Sequence, residues 1–261
     1  MKNENYFDLI SVLANLVQLF LKMILSLSQH FPWKKNSKAR KQASVFLAVV
    51  DEPAWNRNLF ITAAKYSLKL KKDSQQSSVM GRSKVMQTVT WHIEANCVKG
   101  TVSEYFLAVS HGAFTAWKSS VVEIYATLQM EGNEYVLQAE TSQRLHRDIC
   151  LVHFPFPEGV VCERGEGFLI TITLRWKKGA IFKSVEHFLA APENYGRTVE
   201  QMIISVDTGD TGVLWRDVSL YGMDKTTHRA RPVFGNNHSG SNTVKWEIIP
   251  QKDIYIIQIE S

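Results

Sequence analysis

The sequence predicts an α+β protein in which N-terminal helices precede a mainly antiparallel β-sandwich, Ig-like or barrel-like. Three observations carry this prediction. An apolar stretch near the start has helically spaced polar residues, residues from about 84 onward alternate with a period of two, and the basic charge is concentrated at the start. The predicted domains are an apolar helix with a basic flank (1–41), an amphipathic helical connector and linker (42–83), and the β-sandwich (84–261).

The composition is that of a globular chain with one large core. The chain has 261 residues, of which 45% are hydrophobic and 21% charged. Residues 1–41 hold seven Lys or Arg and two acids, and therefore carry the whole formal net charge of +5. This asymmetry favours an anionic partner for the start of the chain, either a membrane surface or nucleic acid. The sparse, odd set of cysteines, Cys97, Cys150 and Cys162, predicts free thiols in a reducing compartment.

The first predicted element is a helix over residues 7–29. Its polar residues recur at steps of three or four and so form one narrow seam on an apolar cylinder. Twenty-three helical residues reach about 34 Å, enough to cross a hydrocarbon core of about 30 Å. No small-x-small cleavage site follows, so a signal peptide is not predicted. The seam consists of Asp8, Ser11, Asn15, Gln18, Lys22, Ser26 and Gln29.

This helix has three possible placements: across a bilayer, in the membrane interface, or in the core of a soluble protein or on a partner helix. The polar seam favours contact with a second helix or a second copy. The basic run behind it is typical of a membrane-flanking cluster that keeps the body in the cytoplasm, and a soluble cytoplasmic chain is the alternative. The residues predicted for membrane contact or self-association are Asp8, Asn15, Gln18, Lys22, Trp33, Lys34, Lys35, Lys38, Arg40 and Lys41.

The connector is predicted to be helical. Residues 43–50 form a short apolar run that fits either a strand or a buried helix. The sequence Asp51-Glu52-Pro53 then predicts a helix start. The helix expected after it, over residues 53–72, has an apolar and a basic face. The two faces comprise Trp55, Leu59, Ala63, Tyr66 and Leu70 on one side and Asn58, Lys65, Lys69 and Lys72 on the other.

The body is predicted to consist of eight to ten short strands, because each segment shows one apolar and one polar face. The turn sequence Glu131-Gly132-Asn133-Glu134 predicts a hairpin between two of them. The predicted strands are 89–95, 102–110, 122–130, 135–140, 149–154, 168–176, 202–206, 213–220, 244–248 and 254–259.

Two long segments of the body are predicted as loops. Residues 184–197 are expected to hold a short helix that ends before Pro192. Residues 222–242 are long, polar and basic, which predicts a contact surface or a mobile insertion. The residues predicted for contact in this segment are His228, Arg229, Arg231 and Asn237.

No catalytic motif is present. The triplet His146-Arg147-Asp148 matches the HRD of protein kinases, but the glycine-rich loop and the DFG that accompany it are missing. The eight histidines show no metal-ligand spacing, although the pairs His146/His153 and His228/His238 are candidates. We therefore predict no catalytic, cofactor or metal residues.

The predicted function is a non-enzymatic, membrane-associated protein whose β-sandwich binds a ligand or a protein partner. One alternative is a soluble interaction module whose N-terminal helices pack on the β domain or on a partner. Another is an enzyme whose site is not visible as a motif. Nucleic acid is disfavoured as a partner because aromatic residues are not interleaved with the basic ones.

Overall fold

The computed structural model describes residues 37–51, 56–73, 84–110, 122–146, 149–176, 180–181, 185–239 and 242–260. The chain divides into two compact units, residues 1–41 and residues 42–261. The predicted helix over residues 7–29 lies outside the described residues, as do Trp33, Lys34 and Lys35.

One α-helix, α1 (Ser37–Asp51), is present among the described residues. Ala43, Phe46 and Leu47 are buried, and their spacing of three and four places them on one helical face. The run at 43–50, which fits either a strand or a helix by sequence, is therefore a helix. Within the described ranges, no helix is both long and apolar enough to cross a membrane.

The described part of the second unit is mostly β-strand. The strands are β1 (Leu59–Lys72), β2 (Lys84–Cys97), β3 (Thr101–Val102), β4 (Glu104–Ser110), β5 (Val122–Met130), β6 (Asn133–Leu137), β7 (Glu140–His146), β8 (Ile149–Pro155), β9 (Cys162–Glu163), β10 (Gly167–Trp176), β11 (Ala180–Ile181), β12 (Val185–Ala190), β13 (Thr198–Asp207), β14 (Val218–Met223), β15 (Ala230–Pro232), β16 (Asn236–Ser239), β17 (Thr243–Ile248) and β18 (Ile254–Glu260).

A nine-stranded sheet dominates the described structure. Its strand order is β16-β17-β13-β1-β2-β10-β5-β6, and β11 pairs with the first two residues of β2. Smaller sheets follow the orders β12-β18-β14-β15, β4-β8-β7 and β3-β9. The pairing of β1 with β13 is parallel, and the other described pairs are antiparallel. The prediction of a mainly antiparallel, sandwich-like fold is confirmed. Of the predicted N-terminal helices, the one over residues 53–72 is wrong and the one over residues 7–29 lies outside the described residues.

The predicted amphipathic helix over residues 53–72 is wrong, because this segment forms β1 at the centre of the large sheet. Tyr66, Leu68 and Leu70 are buried and alternate with exposed or half-buried polar residues, which is a period of two. A β-bulge between Ile61 and Ala63 shifts the alternation by one residue. Because of this shift, apolar residues in the sequence of β1 recur at intervals of three and four, as they do in an amphipathic helix.

The core lies between the inner face of the large sheet and the smaller sheets. Trp91, Trp176 and Trp246 are buried in it. The same cluster contains Phe188 of β12, Ile257 of β18 and residues of β4 and β8. A continuous apolar layer between sheets defines the sandwich. The opposite face of the large sheet is the outer face and carries its polar residues.

Two predictions about the loops need correction. Residues 185–190 form β12, and only Pro192–Asn194 adopt a short 3-10 turn, which begins at the proline. Residues 222–242 contain β15 and β16 and are therefore not a structureless loop. The strand predicted at 213–220 begins at Val218, after a 3-10 turn at Trp215–Asp217.

Two asparagine side chains cap the outer edge of β4. Asn194 accepts a hydrogen bond from the Ala108 amide (2.8 Å) and donates one to the Ala108 carbonyl (2.6 Å). Asn56 accepts from the Phe106 amide (3.2 Å) and donates to the Phe106 carbonyl (2.7 Å). A primary amide carries one donor and one acceptor side by side, so each asparagine replaces one residue of a neighbouring strand. The edge of β4 is therefore closed to further pairing at these two residues.

Candidate functional site

A groove of about 620 Å³ opens on the outer face of the large sheet, at the end where β2, β10 and the β5–β6 hairpin meet. Its volume lies within the range of about 300–1,000 Å³ that small-molecule sites occupy. The described lining residues are Thr62, Glu94, Ala95, Asn96, Gln129, Met130, Glu131, Gly132, Asn133, Glu134, Gly167, Phe168 and Leu169.

Backbone geometry shapes this groove at two of its sides. Glu131 and Gly132 both have positive φ angles, 52° and 78°. This is the two-residue hairpin turn that matches the twist of the flanking strands. On the β1 side, Thr62 lies in the bulge, and its hydroxyl donates to the Glu94 carbonyl (3.3 Å).

Gly167 forms part of the groove floor beside Asn96, to which it is paired across the β2–β10 ladder. A Cβ atom at Gly167 would lie 2.5 Å from Oδ1 of Asn96, which is too close for real contacts. Glycine is therefore required for the Asn96 amide to occupy its position. The floor keeps an amide group available for hydrogen bonding.

The groove is acidic. Glu94, Glu131 and Glu134 are exposed carboxylates, and the described lining contains no Lys or Arg. Asn96, Asn133 and Gln129 add amide groups and Leu169 adds apolar surface, whereas the Phe168 side chain is buried in the core. Carboxylates and amides arranged in this way accept hydrogen bonds from a positively charged ligand.

Of the candidate histidine pairs, the structure describes the side chains of His153 and His228 but not those of His146 and His238. His153 of β8 lies 2.9 Å from Glu104 of β4 through Nε2 and 3.4 Å from Glu140 of β7 through Nδ1. Its ring stacks on Phe106 at a centroid distance of 4.6 Å. Both ring nitrogens are thus engaged in linking three strands. Among the described residues, no group of three or more His, Cys, Asp or Glu is placed to hold a metal ion.

The two described cysteine thiols are buried. Burial, with a smaller contribution from the nearby Cys97, raises the pKa of the Cys162 thiol to about 11. A thiol with such a pKa is almost fully protonated at neutral pH, and the protonated form is a poor nucleophile. Cys97 and Cys162 therefore act as core residues. The Cys150 side chain lies outside the described part.

The predicted contact residues are dispersed. His228 is exposed, and its Nδ1 lies 3.0 Å from the Ser44 hydroxyl of α1. Arg229 and Arg231 are exposed, the latter on β15, whereas Asn237 lies on β16 at the edge of the other sheet. Lys38, Arg40 and Lys41 lie on α1, and Lys41 is exposed.

The groove was missed by sequence reasoning because its residues come from five strands, most of which are distant from one another in the chain. One signal was present. The hairpin turn with Glu131 and Glu134 was identified, but its neighbours Glu94 and Asn96 on β2 and Gly167 on β10 become adjacent only through sheet pairing.

No protein-family model matches this chain, and no curated protein sequence is significantly similar to it. Solved structures with some similarity include a Legionella pneumophila protein whose name proposes nutrient binding (8% identity, 79% of this chain, 68% of that chain, TM-score 0.41). Another is the dimeric latent PorU from Porphyromonas gingivalis (8% identity, 76% of this chain, TM-score 0.21), of which the chain spans 20%. With TM-scores below 0.5, these similarities support no inference about ligand or activity.

Proposed function

We propose that the β domain is a non-enzymatic binding module whose groove takes a cationic, hydrogen-bonding ligand. The observation that carries this proposal is the set of three exposed carboxylates in a groove of about 620 Å³, without a described basic residue in its lining. The chain as a whole has a formal charge of +5, so the groove is locally opposite in sign to the chain. Such a local field attracts cations and repels anions.

Two observations support a binding role over catalysis. The His153 ring is engaged by carboxylates on both nitrogens, and the raised pKa of Cys162 leaves its thiol protonated. A general base or a nucleophile needs an available nitrogen or a thiolate. The groove itself supplies acceptors and amides, which are groups suited to recognition.

Spermine is a suitable first probe, because it carries several ammonium groups on a flexible chain. We expect the full-length chain to bind spermine in isothermal titration calorimetry at low salt. The double variant Glu94→Gln/Glu131→Gln should weaken this binding about tenfold, since each exposed charge pair contributes about 0.7 kcal/mol.

The matched control is Glu158→Gln/Glu200→Gln, which removes the same charge from exposed positions outside the described groove lining. Affinity in this control should stay within about twofold of the wild type, because exposed charges far from the site are screened. Equal losses in the two double variants, or absence of spermine binding by the wild type, would remove the groove proposal.

Membrane association through residues 1–41 is the second part of the proposed function. The polar seam of residues 7–29 and the basic run that follows support it. We expect full-length protein to bind vesicles of phosphatidylcholine and phosphatidylserine. Leu16→Arg should abolish binding, and Asn15→Leu should change the oligomeric state without releasing the protein. Retention of Leu16→Arg on vesicles would contradict this proposal.

Arg229 and Arg231 are proposed to contact the same anionic surface. Both are exposed, and neither has a carboxylate partner among the described residues. Each basic residue near an anionic leaflet contributes about 1 kcal/mol. Arg229→Gln/Arg231→Gln should therefore weaken vesicle binding roughly tenfold or more, and an unchanged affinity would exclude these residues from the contact.

A second candidate function is an interaction module in which the N-terminal helical segment packs on the β domain or on a partner helix. The burial of Ala43, Phe46 and Leu47 favours it, because these residues belong to the same unit as the strands. Purification of the full-length chain without detergent, as a discrete monomer or dimer, would support this function over membrane attachment.

A further inference from the structure

The strand β6 has unpaired backbone groups on its outer side. The turn at Glu131–Gly132 has two residues, so Met130 and Asn133 form the hydrogen-bonded pair that closes the hairpin. Hydrogen-bonded pairs then recur at every second residue, and Tyr135 and Leu137 also bond to β5. The amide and carbonyl groups of Glu134 and Val136 therefore point away from β5. β6 is the last strand of its sheet, and none of the described strands pairs with these groups.

Three other edges of the described sheets, those of β4, β15 and β7, are protected. The edge of β4 is filled by Asn56 and Asn194. On β15, the Val233 amide bonds to the Leu220 carbonyl (2.8 Å), so the nitrogen of the preceding Pro232 faces outward and carries no hydrogen. β7 carries two register shifts against β8. Prolines, bulges and capping groups are the usual means of preventing strand addition, and β6 has none of them.

The side chains along β6 specify what would fit beside it. Val136 is 80% exposed, and Tyr125 on the neighbouring strand is 54% exposed. Both belong to the outer face, where Val136 pairs with Thr127 of β5. A strand placed beside β6 would have one residue opposite Val136, and an apolar side chain there would cover exposed apolar surface.

The charge on this edge is acidic. A row of paired residues crosses the outer face from Glu94 through Leu169 and Gln129 to Glu134, where the sheet ends. The next position in this row, opposite Glu134, would belong to an added strand. A lysine or arginine at that position would meet Glu134 directly and extend toward the acidic groove, and opposite charges across strands stabilise pairing.

We propose that β6 accepts an extended, basic segment of a partner protein as an additional strand, with Lys or Arg opposite Glu134 and an apolar residue opposite Val136. The pattern required is a basic and an apolar residue separated by one position, since alternate residues of a strand share a face. This proposal rests on the proposed function, because the groove carboxylates supply the attraction. A second copy of the same edge is disfavoured, because it would bring the same carboxylates near each other.

The probe is a fluorescein-labelled peptide of sequence Thr-Lys-Thr-Val-Thr-Lys-Thr. Its valine has a lysine two positions away on both sides, so the pattern is met in either strand direction. One control peptide replaces both lysines with glutamate. Another has the same side chains but is N-methylated at every residue from the first lysine to the second, which removes the amide donors that either strand direction would use.

Fluorescence anisotropy with the full-length chain measures the binding. We expect the parent peptide to bind at least tenfold more tightly than either control peptide. Val136→Pro should weaken the parent peptide about tenfold, because proline removes an outward donor and hinders an approaching strand. Glu134→Gln should weaken it about two- to fivefold, the usual value of one exposed cross-strand charge pair.

The outcomes separate strand addition from groove binding. If the N-methylated peptide binds as tightly as the parent, or if Val136→Pro binds the parent unchanged, strand addition is wrong. If only Glu94→Gln/Glu131→Gln then weakened peptide binding, the groove proposal would stand. Absence of parent-peptide binding, or dimerisation of the chain through this edge in analytical ultracentrifugation, would overturn the proposal even if spermine binds. If spermine does not bind but the peptide does so through β6, the groove proposal alone fails.

Discussion

β4 and β6 are both edge strands, but the outer edge of β4 is capped by side chains and that of β6 is not. Both leave backbone donors and acceptors on their outer sides. On β4, Asn56 and Asn194 fill these groups at Phe106 and Ala108, whereas on β6 the groups at Glu134 and Val136 stay open. An open edge exposes a chain to unwanted association. The difference indicates that β4 is closed for stability and that β6 is kept available for a partner.

The largest expected effect is on the closed edge. Asn194→Ala should lower the free energy of unfolding by about 3 kcal/mol, because it removes two hydrogen bonds and leaves the buried amide and carbonyl of Ala108 unsatisfied. Urea unfolding measures this loss. Asn96→Ala, at an exposed asparagine, is the control and should cost less than about 0.5 kcal/mol. A loss below about 1 kcal/mol for Asn194→Ala would mean that water replaces the cap.

A smaller effect is expected at Asn56, which is half-buried and has φ of 54°. Asn56→Gly should cost about 1 kcal/mol, since glycine accepts this φ and the loss is limited to side-chain hydrogen bonds, two with Phe106 and one to the Asn194 carbonyl (3.3 Å). Asn56→Ala should cost about 1 kcal/mol more, because alanine disfavours left-handed backbone. Urea unfolding of both variants separates the two contributions. Equal stabilities of the two variants would contradict the assigned backbone strain.

On the open edge, a proline should have little effect on folding. Val136→Pro is expected to change the free energy of unfolding by less than about 1 kcal/mol, because the amide hydrogen it removes points away from β5. Tyr135→Pro is the matched comparison and should cost about 3 kcal/mol, since it removes the bond to Leu128 on β5. Thermal and urea unfolding of the two proline variants measure this difference in stability. Similar losses for the two prolines would show that the hydrogen-bond alternation along β6 is misassigned.

The smallest expected effect is on the titration of His92, which lies on the outer face in the same row of paired residues as Val136. Burial lowers the pKa of His92 in this row, and the charge of Lys65 lowers it further. A histidine whose pKa is lower in the folded state binds fewer protons than in the unfolded state, so its contribution to stability decreases as the pH falls below about 6.5. NMR titration should place the His92 midpoint below that value. Lys65→Met should raise this midpoint, and an unchanged midpoint would exclude the lysine as a cause.

The strands that alternate without interruption were predictable, and those shaped by distant contacts were not. β2, β5, β10 and β17 follow a period of two, and the structure confirms them. β1 was mistaken for a helix because one bulge residue shifts its pattern. Its parallel pairing with β13 joins residues about 140 positions apart, which no local pattern encodes.

Of the candidate site, only the hairpin turn could be predicted from the sequence. The Glu131-Gly132 pair has the composition of a hairpin turn, and its acidic neighbours were visible with it. Glu94 and Gly167 reach the same groove through the register of β2 and β10. The open character of β6 depends on which of its amides bond to β5 and on the absence of a neighbouring described strand, and both are properties of the folded sheet.

Amide hydrogen exchange of the full-length chain, followed by NMR with and without the lysine–valine peptide, tests the contrast between the two edges most directly. The account predicts slow exchange at Phe106 and Ala108 in both conditions. It predicts fast exchange at Glu134 and Val136 in the free protein and at least tenfold slowing with saturating peptide. Protection of Glu134 and Val136 without peptide, or no change when the peptide is added, would contradict the claim that β6 is open to an added strand.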